Sequence, residues 1–104
     1  MDSLSSLSGR LHEYVDIILE FDVLFSDLIG SPALRPQARL VMLIQKYGSV
    51  SIKEAIIDSK MSSRGFYMIM EGLLKDGIIQ IQADPKDKRV RRLAFKERRA
   101  DNPS

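Results

Sequence analysis

The sequence predicts a mainly α fold with a small β-hairpin, a winged helix-turn-helix placed behind a long N-terminal helix. Two observations predict it. Apolar residues recur at helical spacing, divided by cap residues into successive helices, and from Ile78 onward the apolar period changes from that of a helix to that of a strand. At 104 residues the chain is long enough for one core and too short for a core plus a separate catalytic domain.

The first helix is expected from about Ser8 to Ile29. Leu4, Leu7, Leu11, Tyr14, Ile18, Phe21, Phe25 and Leu28 alternate spacings of three and four, the a/d pattern of a coiled-coil seam. Val15, Ile17, Leu19, Val23, Leu24 and Ile29 widen that apolar surface beyond what one small domain covers. Residues 1–30 are therefore expected to pack on their own domain with one side and on a second copy with the other, through Leu11, Tyr14, Ile18, Phe21, Phe25 and Leu28. A central core helix of a monomer is the alternative. Gly30-Ser31-Pro32 ends the helix.

Residues 31–95 read as the winged unit. Pro36 suits the first turn of a second helix, since its missing N–H is not needed there; Leu40, Val41, Leu43, Ile44 and Tyr47 give that helix an apolar face, and Gly48 closes it. Ser51 with Glu54 three residues on is a capping box for a third helix through about Ser59, with Ile52, Ala55 and Ile56 inward. Ser62 caps a fourth helix over 62–76 with Phe66, Ile69, Met70, Leu73 and Leu74 on one face, and Gly77 ends it. Two short helices joined by a tight turn make a helix-turn-helix. Ile79, Ile81 and Ala83 then alternate with glutamines, Ala83 to Lys88 is rich in turn residues, and alternation resumes from Arg89 to Phe95: a hairpin. Residues 96–104 read as a polar, flexible tail.

Charge is divided unevenly. Residues 1–34 hold one base against six acids, a net −5, while residues 35–104 hold fifteen bases against eight acids, a net +7. An acidic half facing water or protein and a basic half facing a polyanion is the expected arrangement. On the fourth helix, the face away from the core carries Ser62, Ser63, Arg64, Tyr67, Met68 and Glu71. Arginine can chelate a guanine edge, and serine and tyrosine can reach bases or phosphates. Gly65 at the same end can let a phosphate approach the backbone. The hairpin carries Lys86, Lys88, Arg89, Arg91 and Arg92, cations suited to a minor groove and its flanking phosphates. A solvated helix face and lysine protection of a sheet edge are the plainer readings of the same residues.

Met61-Ser62-Ser63-Arg64, the run from Leu73 to Ile79 and, above all, Asp84-Pro85-Lys86-Asp87-Lys88-Arg89 resemble the helix-turn-helix and wing of MarR-type transcription regulators over residues 36–95. The wing signature is aspartate, two residues, aspartate, one residue, arginine. The resemblance implies that Asp87 helps hold the wing and that Arg89 reaches the minor groove. It also implies a bacterial repressor working on a pseudo-palindromic site. The chain departs from the pattern at Leu93-Ala94-Phe95-Lys96, where the family shows a strand ending in a threonine-led helix start. It is expected to be a short form without the C-terminal dimerisation helices, which leaves the first helix to join two copies.

Other classes find little support. The sole histidine, His12, lies in the acidic first segment, so no histidine acid/base pair or histidine-rich metal site can form; with no cysteine there is no thiolate nucleophile and no cysteine-based zinc site. No glycine-rich phosphate loop is present. No enzyme activity, cofactor or metal is expected. No run of about 18 apolar residues exists, so no membrane span is expected either, and a cytoplasmic, nucleoid-associated protein is the default. The expected function is sequence-specific binding of double-stranded DNA as a homodimer, with the recognition helix in the major groove and the wing at the minor groove. The alternative is a winged-helix module that docks a protein and binds no DNA specifically. No small-molecule effector is legible.

Overall fold

The computed structural model describes residues 10–96. A 3-10 turn, Leu11–Glu13, precedes helix α1, Val15–Ile29; then follow α2 (Pro36–Tyr47), β1 (Ser49–Ser51), α3 (Ile52–Ser59), α4 (Ser63–Lys75), β2 (Ile79–Ala83) and β3 (Arg91–Phe95). The strands form one antiparallel sheet in the order β1-β3-β2. This is the expected winged helix-turn-helix behind an N-terminal helix, with one strand more than a hairpin.

Local chemistry sets the boundaries. Pro36 occupies the start of α2, and Gly48 closes it at φ +82°, donating its N–H to the Ile44 carbonyl at 2.7 Å. The capping box of α3 is formed in both directions: Ser51 Oγ accepts from the Glu54 N–H, and the Glu54 carboxylate accepts from the Ser51 N–H. Ser62 Oγ accepts from the Gly65 N–H at 3.1 Å and caps α4.

The core gathers Leu40, Leu43 and Ile44 of α2, Val50 of β1, Ile52 and Ala55 of α3, Phe66, Met70 and Leu73 of α4, Ile79 of β2 and Leu93 of β3. The third strand was missed because Ser49-Val50-Ser51 is too short to show a period; it exists because it adds a partner to β3. In register, Val50 faces Leu93 and Ser49 faces Ala94. Being central, β3 is covered on both sides at its inner end, so Leu93 and Ala94 are both buried rather than alternating. Tyr47, expected on the inward face of α2, is exposed and lies under the Lys46 ammonium.

Helix α1 differs most from the expectation. The single helix drawn from Ser8 begins only at Val15, and Leu4 and Leu7 lie outside the described residues. Val15 and Asp22 are buried, Leu19 packs on the core, and Ile18, Phe25 and Leu11 are half-buried. The free apolar line is therefore Tyr14, Ile17, Phe21, Leu24 and Leu28, also spaced three and four, with Ile17 67%, Leu24 60% and Leu28 81% exposed. Of the six residues expected to join two copies, Tyr14, Phe21 and Leu28 stand on the free face, Leu11 lies half-buried in the preceding turn, and Ile18 and Phe25 are half-buried where Ile17 and Leu24 are exposed.

A charged tie sets α1 on the rest. Asp22 Oδ1 accepts from the backbone N–H groups of Ala33 and Leu34 at 2.7 and 2.8 Å, and its Oδ2 accepts from Arg39 Nη1 at 2.8 Å. Arg39 Nε also donates to Asp58 Oδ2 at 2.9 Å. Burial opposes the charge of Arg39, but the hydrogen bond and field of Asp58, then those of Asp22, more than offset it and raise its pKa further. Removing one member of such a pair leaves the other charge desolvated and unpaired. Asp22→Ala is therefore expected to destabilise the fold by about 3 kcal/mol. Urea unfolding of the two proteins checks this: equal midpoints would make the tie dispensable.

Candidate nucleic-acid interface

Helix α4 is built from its buried side. Phe66, Met70 and Leu73 fix it in the core, and Ile69 and Leu74 pack beside them. That leaves Ser63, Arg64, Tyr67, Met68 and Glu71 on the exposed face, with Ser62 exposed at the cap. Among the described residues the Arg64 side chain has no ion-pair or hydrogen-bond partner, so its five donors face outward. Ser62 is already engaged, since its hydroxyl accepts the capping bond. Gly65 has an internal explanation too. A Cβ there would stand 3.2 Å from Met61 Cε and 3.3 Å from Ser62 Oγ, so the missing side chain makes room for the cap rather than for a phosphate.

The wing follows directly from α4 through Gly77, and its base is anchored in the same core by Ile79. Strands β2 and β3 pair from Ile79 with Phe95 to Ala83 with Arg91. Ile81 is exposed although it shares a face with Ile79 and pairs with buried Leu93, because β2 is the edge strand of the sheet and has a neighbour on one side only. The loop from Asp84 to Val90 is closed by backbone bonds, Asp84 N–H to the Val90 carbonyl and Val90 N–H to the Asp87 carbonyl, both 2.9 Å.

Two aspartates divide the work in this loop. Asp84 Oδ1 accepts from the Lys86 and Asp87 N–H groups at 2.7 and 3.2 Å, while Oδ2 accepts from Arg92 Nη1 at 3.4 Å. Arg92 in turn donates to Ser49 Oγ at 2.8 Å and to the Ser49 carbonyl at 3.0 Å, clamping the wing loop to β1. Asp87 Oδ1 accepts from the N–H of Arg89 at 3.0 Å and from its Nε at 3.2 Å. The loop is thus organised by Asp84, and Asp87 orients Arg89, whose side chain is 92% exposed. Lys86, Lys88 and Arg91 are exposed and, among the described residues, meet no acid. Arg92, grouped with them by sequence, is a structural clamp instead. Its signal, a serine across a strand that sequence alone did not show, was not available beforehand.

The sequence-predicted residues therefore form two exposed sets on consecutive elements: Ser62, Ser63, Arg64, Tyr67 and Met68 on α4, and Lys86, Lys88, Arg89 and Arg91 on the wing. Among the described residues no cluster of histidine, cysteine or carboxylate side chains fit for a metal ion is present, and no helix is long and apolar enough to cross a membrane.

Asp84 gives the wing a pH dependence. The Lys86 amide does most to hold its carboxyl below the usual carboxylate range; slight burial opposes this, and the Asp87 amide and the Arg92 charge add to it. A carboxyl depressed by folding contributes its stabilisation above its unfolded value, about 3.9, and loses it as pH falls through the lower folded value. The loop is therefore expected to hold down to about pH 4 and loosen below it. Asp84→Ala should show the loosened loop already at neutral pH. Amide exchange at Lys86 and Asp87 measures both, and unchanged protection in the variant would contradict the assignment.

Solved structures of similar fold cover most of the chain. The heme sensor protein PefR from Streptococcus agalactiae, in complex with heme, is 30% identical over 89% of this chain and 60% of that one, at a TM-score of 0.51. A probable transcriptional regulator from Pseudomonas aeruginosa is 22% identical over 88% of this chain and 68% of that one, at 0.55. A MarR mutant from E. coli complexed with operator DNA is 18% identical over 84% of this chain and 61% of that one, at 0.52. The last two share the fold. The chain spans about two thirds of the length of these proteins. No family model and no curated protein matched it.

Proposed function

We infer that this chain, a MarR-type winged helix-turn-helix protein by its fold and its wing signature, is a DNA-binding transcriptional regulator and not an enzyme. The observation that carries the reading is the division of α4. Its inner face is consumed by the core, while its outer face presents Arg64 and Met68, and Tyr67 with its ring edge-on to Phe66; among the described residues Arg64 has no hydrogen-bond or ion-pair partner. In a helix-turn-helix the N-terminal part of the second helix enters the major groove. Arg64 reads a base there, the serines at the cap meet phosphate, and Arg89, aimed by Asp87, meets the minor groove. Lys86, Lys88 and Arg91 contribute counterion release on the flanking phosphates. Repression, by occupying a site that the transcription machinery needs, is the regulatory sense the family resemblance favours.

Arg64→Ala is expected to cost about 1–3 kcal/mol at one base position and to relax preference there. Arg89→Ala should weaken binding evenly across sequences and lower the salt slope by about one unit. Fluorescence anisotropy on duplexes selected from a random pool, over a salt series, separates the two. Binding without salt dependence, or no binding to any duplex, would leave the winged unit as a protein-docking module.

A pseudo-palindromic site asks for two recognition helices about 34 Å apart, hence two copies. The free line on α1 supplies the surface. Tyr14, Ile17, Phe21, Leu24 and Leu28 from two chains offer on the order of 1,000 Å² of apolar surface, close to what a specific interface needs. Glu13, Glu20 and Asp27 lie beside that line and stay at its rim. Ile17→Glu with Leu24→Glu is expected to give folded monomers with much weaker DNA binding. The same change at Ile18 and Phe25 would also strike their packing on the chain's own domain. Sedimentation at micromolar concentration, with circular dichroism as the control for folding, decides it: a monomeric wild-type chain overturns the dimer.

A further inference from the structure

Arg64 is not the only informative residue on the outer face of α4. Arg64, Met68 and Glu71 follow one another at spacings of four and three, so they stand in line along the helix, opposite buried Phe66, Met70 and Leu73. Met68, in the middle of this line, is 67% exposed. Glu71 is exposed and, among the described residues, has no cationic partner. Gly72 beside them has nothing within 4 Å of the place where a Cβ would stand, so that flank of the face is open to a close neighbour.

A thioether and a carboxylate are unsuited to a phosphate backbone. The first donates no hydrogen bond and the second repels the anion. The major groove, however, holds a partner for each, and of its two amine donors the N4 of cytosine suits a carboxylate better than the N6 of adenine, which has the N7 lone pair beside it. The 5-methyl of thymine is its apolar group, and the N4 amine of cytosine is a donor that glutamate accepts. Met68 and Glu71 are about 4.5 Å apart along the helix axis, which at about 3.4 Å per base pair puts their partners within one or two steps of each other.

We propose that Met68 seats on the methyl of a thymine and Glu71 accepts from N4 of a neighbouring cytosine. Base preference is then set by Met68 and Glu71 as well as by Arg64, while the wing meets the minor groove and its flanking phosphates. This rests on the DNA-binding reading above and adds what that reading leaves open, the bases chosen. The test uses the full chain and its tightest duplex from a random pool, with each thymine replaced in turn by deoxyuridine. At one position in each half-site, loss of the methyl should weaken wild-type binding several-fold and leave Met68→Ala unaffected. Glu71→Gln should move the preference at an adjacent position from cytosine to adenine, whose N6 and N7 glutamine pairs with. If every deoxyuridine is silent, or if Met68→Ala remains equally sensitive, the methyl contact is wrong. If Glu71→Gln raises affinity for all duplexes alike, Glu71 only repels. Absence of binding to any duplex is a different failure, because it overturns the DNA-binding reading and takes this one with it.

Discussion

Arg39, on α2, is tied both to α1 and to the end of α3, and α1 is the segment that the apolar core holds least. Helix α1 contributes little to that core: Val15 is buried and Leu19 packs at its edge. Its seat on the winged unit depends on Asp22, which binds the start of the following segment through the Ala33 and Leu34 N–H groups and binds α2 through Arg39. Arg39 then reaches Asp58 at the end of α3. Desolvating these charges is expensive, and the cost is met only because their hydrogen-bonding groups find partners; among the described residues no buried side-chain polar atom lacks one. A greasy contact at this place would let α1 slide, whereas a fork of directed hydrogen bonds fixes its angle. The same residues connect the surface proposed to join two copies with the helix-turn-helix proposed to meet DNA, so the spacing of two recognition helices rests on this tie.

The two halves of the candidate interface are made rigid by different means. Helix α4 is held from behind by large apolar side chains, which leaves its outer face free for whatever residues function selects. The wing has no core beneath its tip, where Gln82, Ala83, Pro85, Lys86, Lys88 and Arg89 are all exposed. Its shape comes from short polar bonds, Asp84 to two backbone N–H groups and Arg92 to β1. Such a loop is well ordered when every bond is made and loses its order bond by bond. The outer face of α4 can therefore vary in sequence without the helix losing its position, while the wing cannot lose Asp84 or Arg92 so easily.

What the sequence made legible follows from how local each cause is. Caps and breaks are written in neighbouring residues, so Pro36, Gly48, Ser51 with Glu54, and Ser62 were read correctly, and with them the fold class. The exposed members of α4 followed from the helical period. Three things depended on distant partners. Strand β1 exists through its pairing with β3, more than forty residues away in the chain. Arg92 looks like its basic neighbours until Ser49 is brought beside it. Asp22 is, in the sequence, only one of the six acids of the first 34 residues, and it is the turn at Ala33 and Leu34 together with Arg39 that sets it apart.

The difference between the expected and the exposed line on α1 has a simple geometric origin. The expected Leu11, Tyr14, Ile18, Phe21, Phe25 and Leu28 and the exposed Tyr14, Ile17, Phe21, Leu24 and Leu28 are both sound three-four patterns, because the helix is apolar over more than half its circumference. A sequence period cannot choose between them. The choice is made by the domain itself, which takes the side bearing Val15, Asp22, Ile18 and Phe25 and so rotates the free line by one residue. That free line runs beside Glu13, Glu20 and Asp27, and α1 from Val15 to Ile29 holds no base at all. Charge of this sign on α1 disfavours a polyanion there, while the cations of the wing favour one, so the charge division read from the sequence agrees with the orientation proposed for the domain.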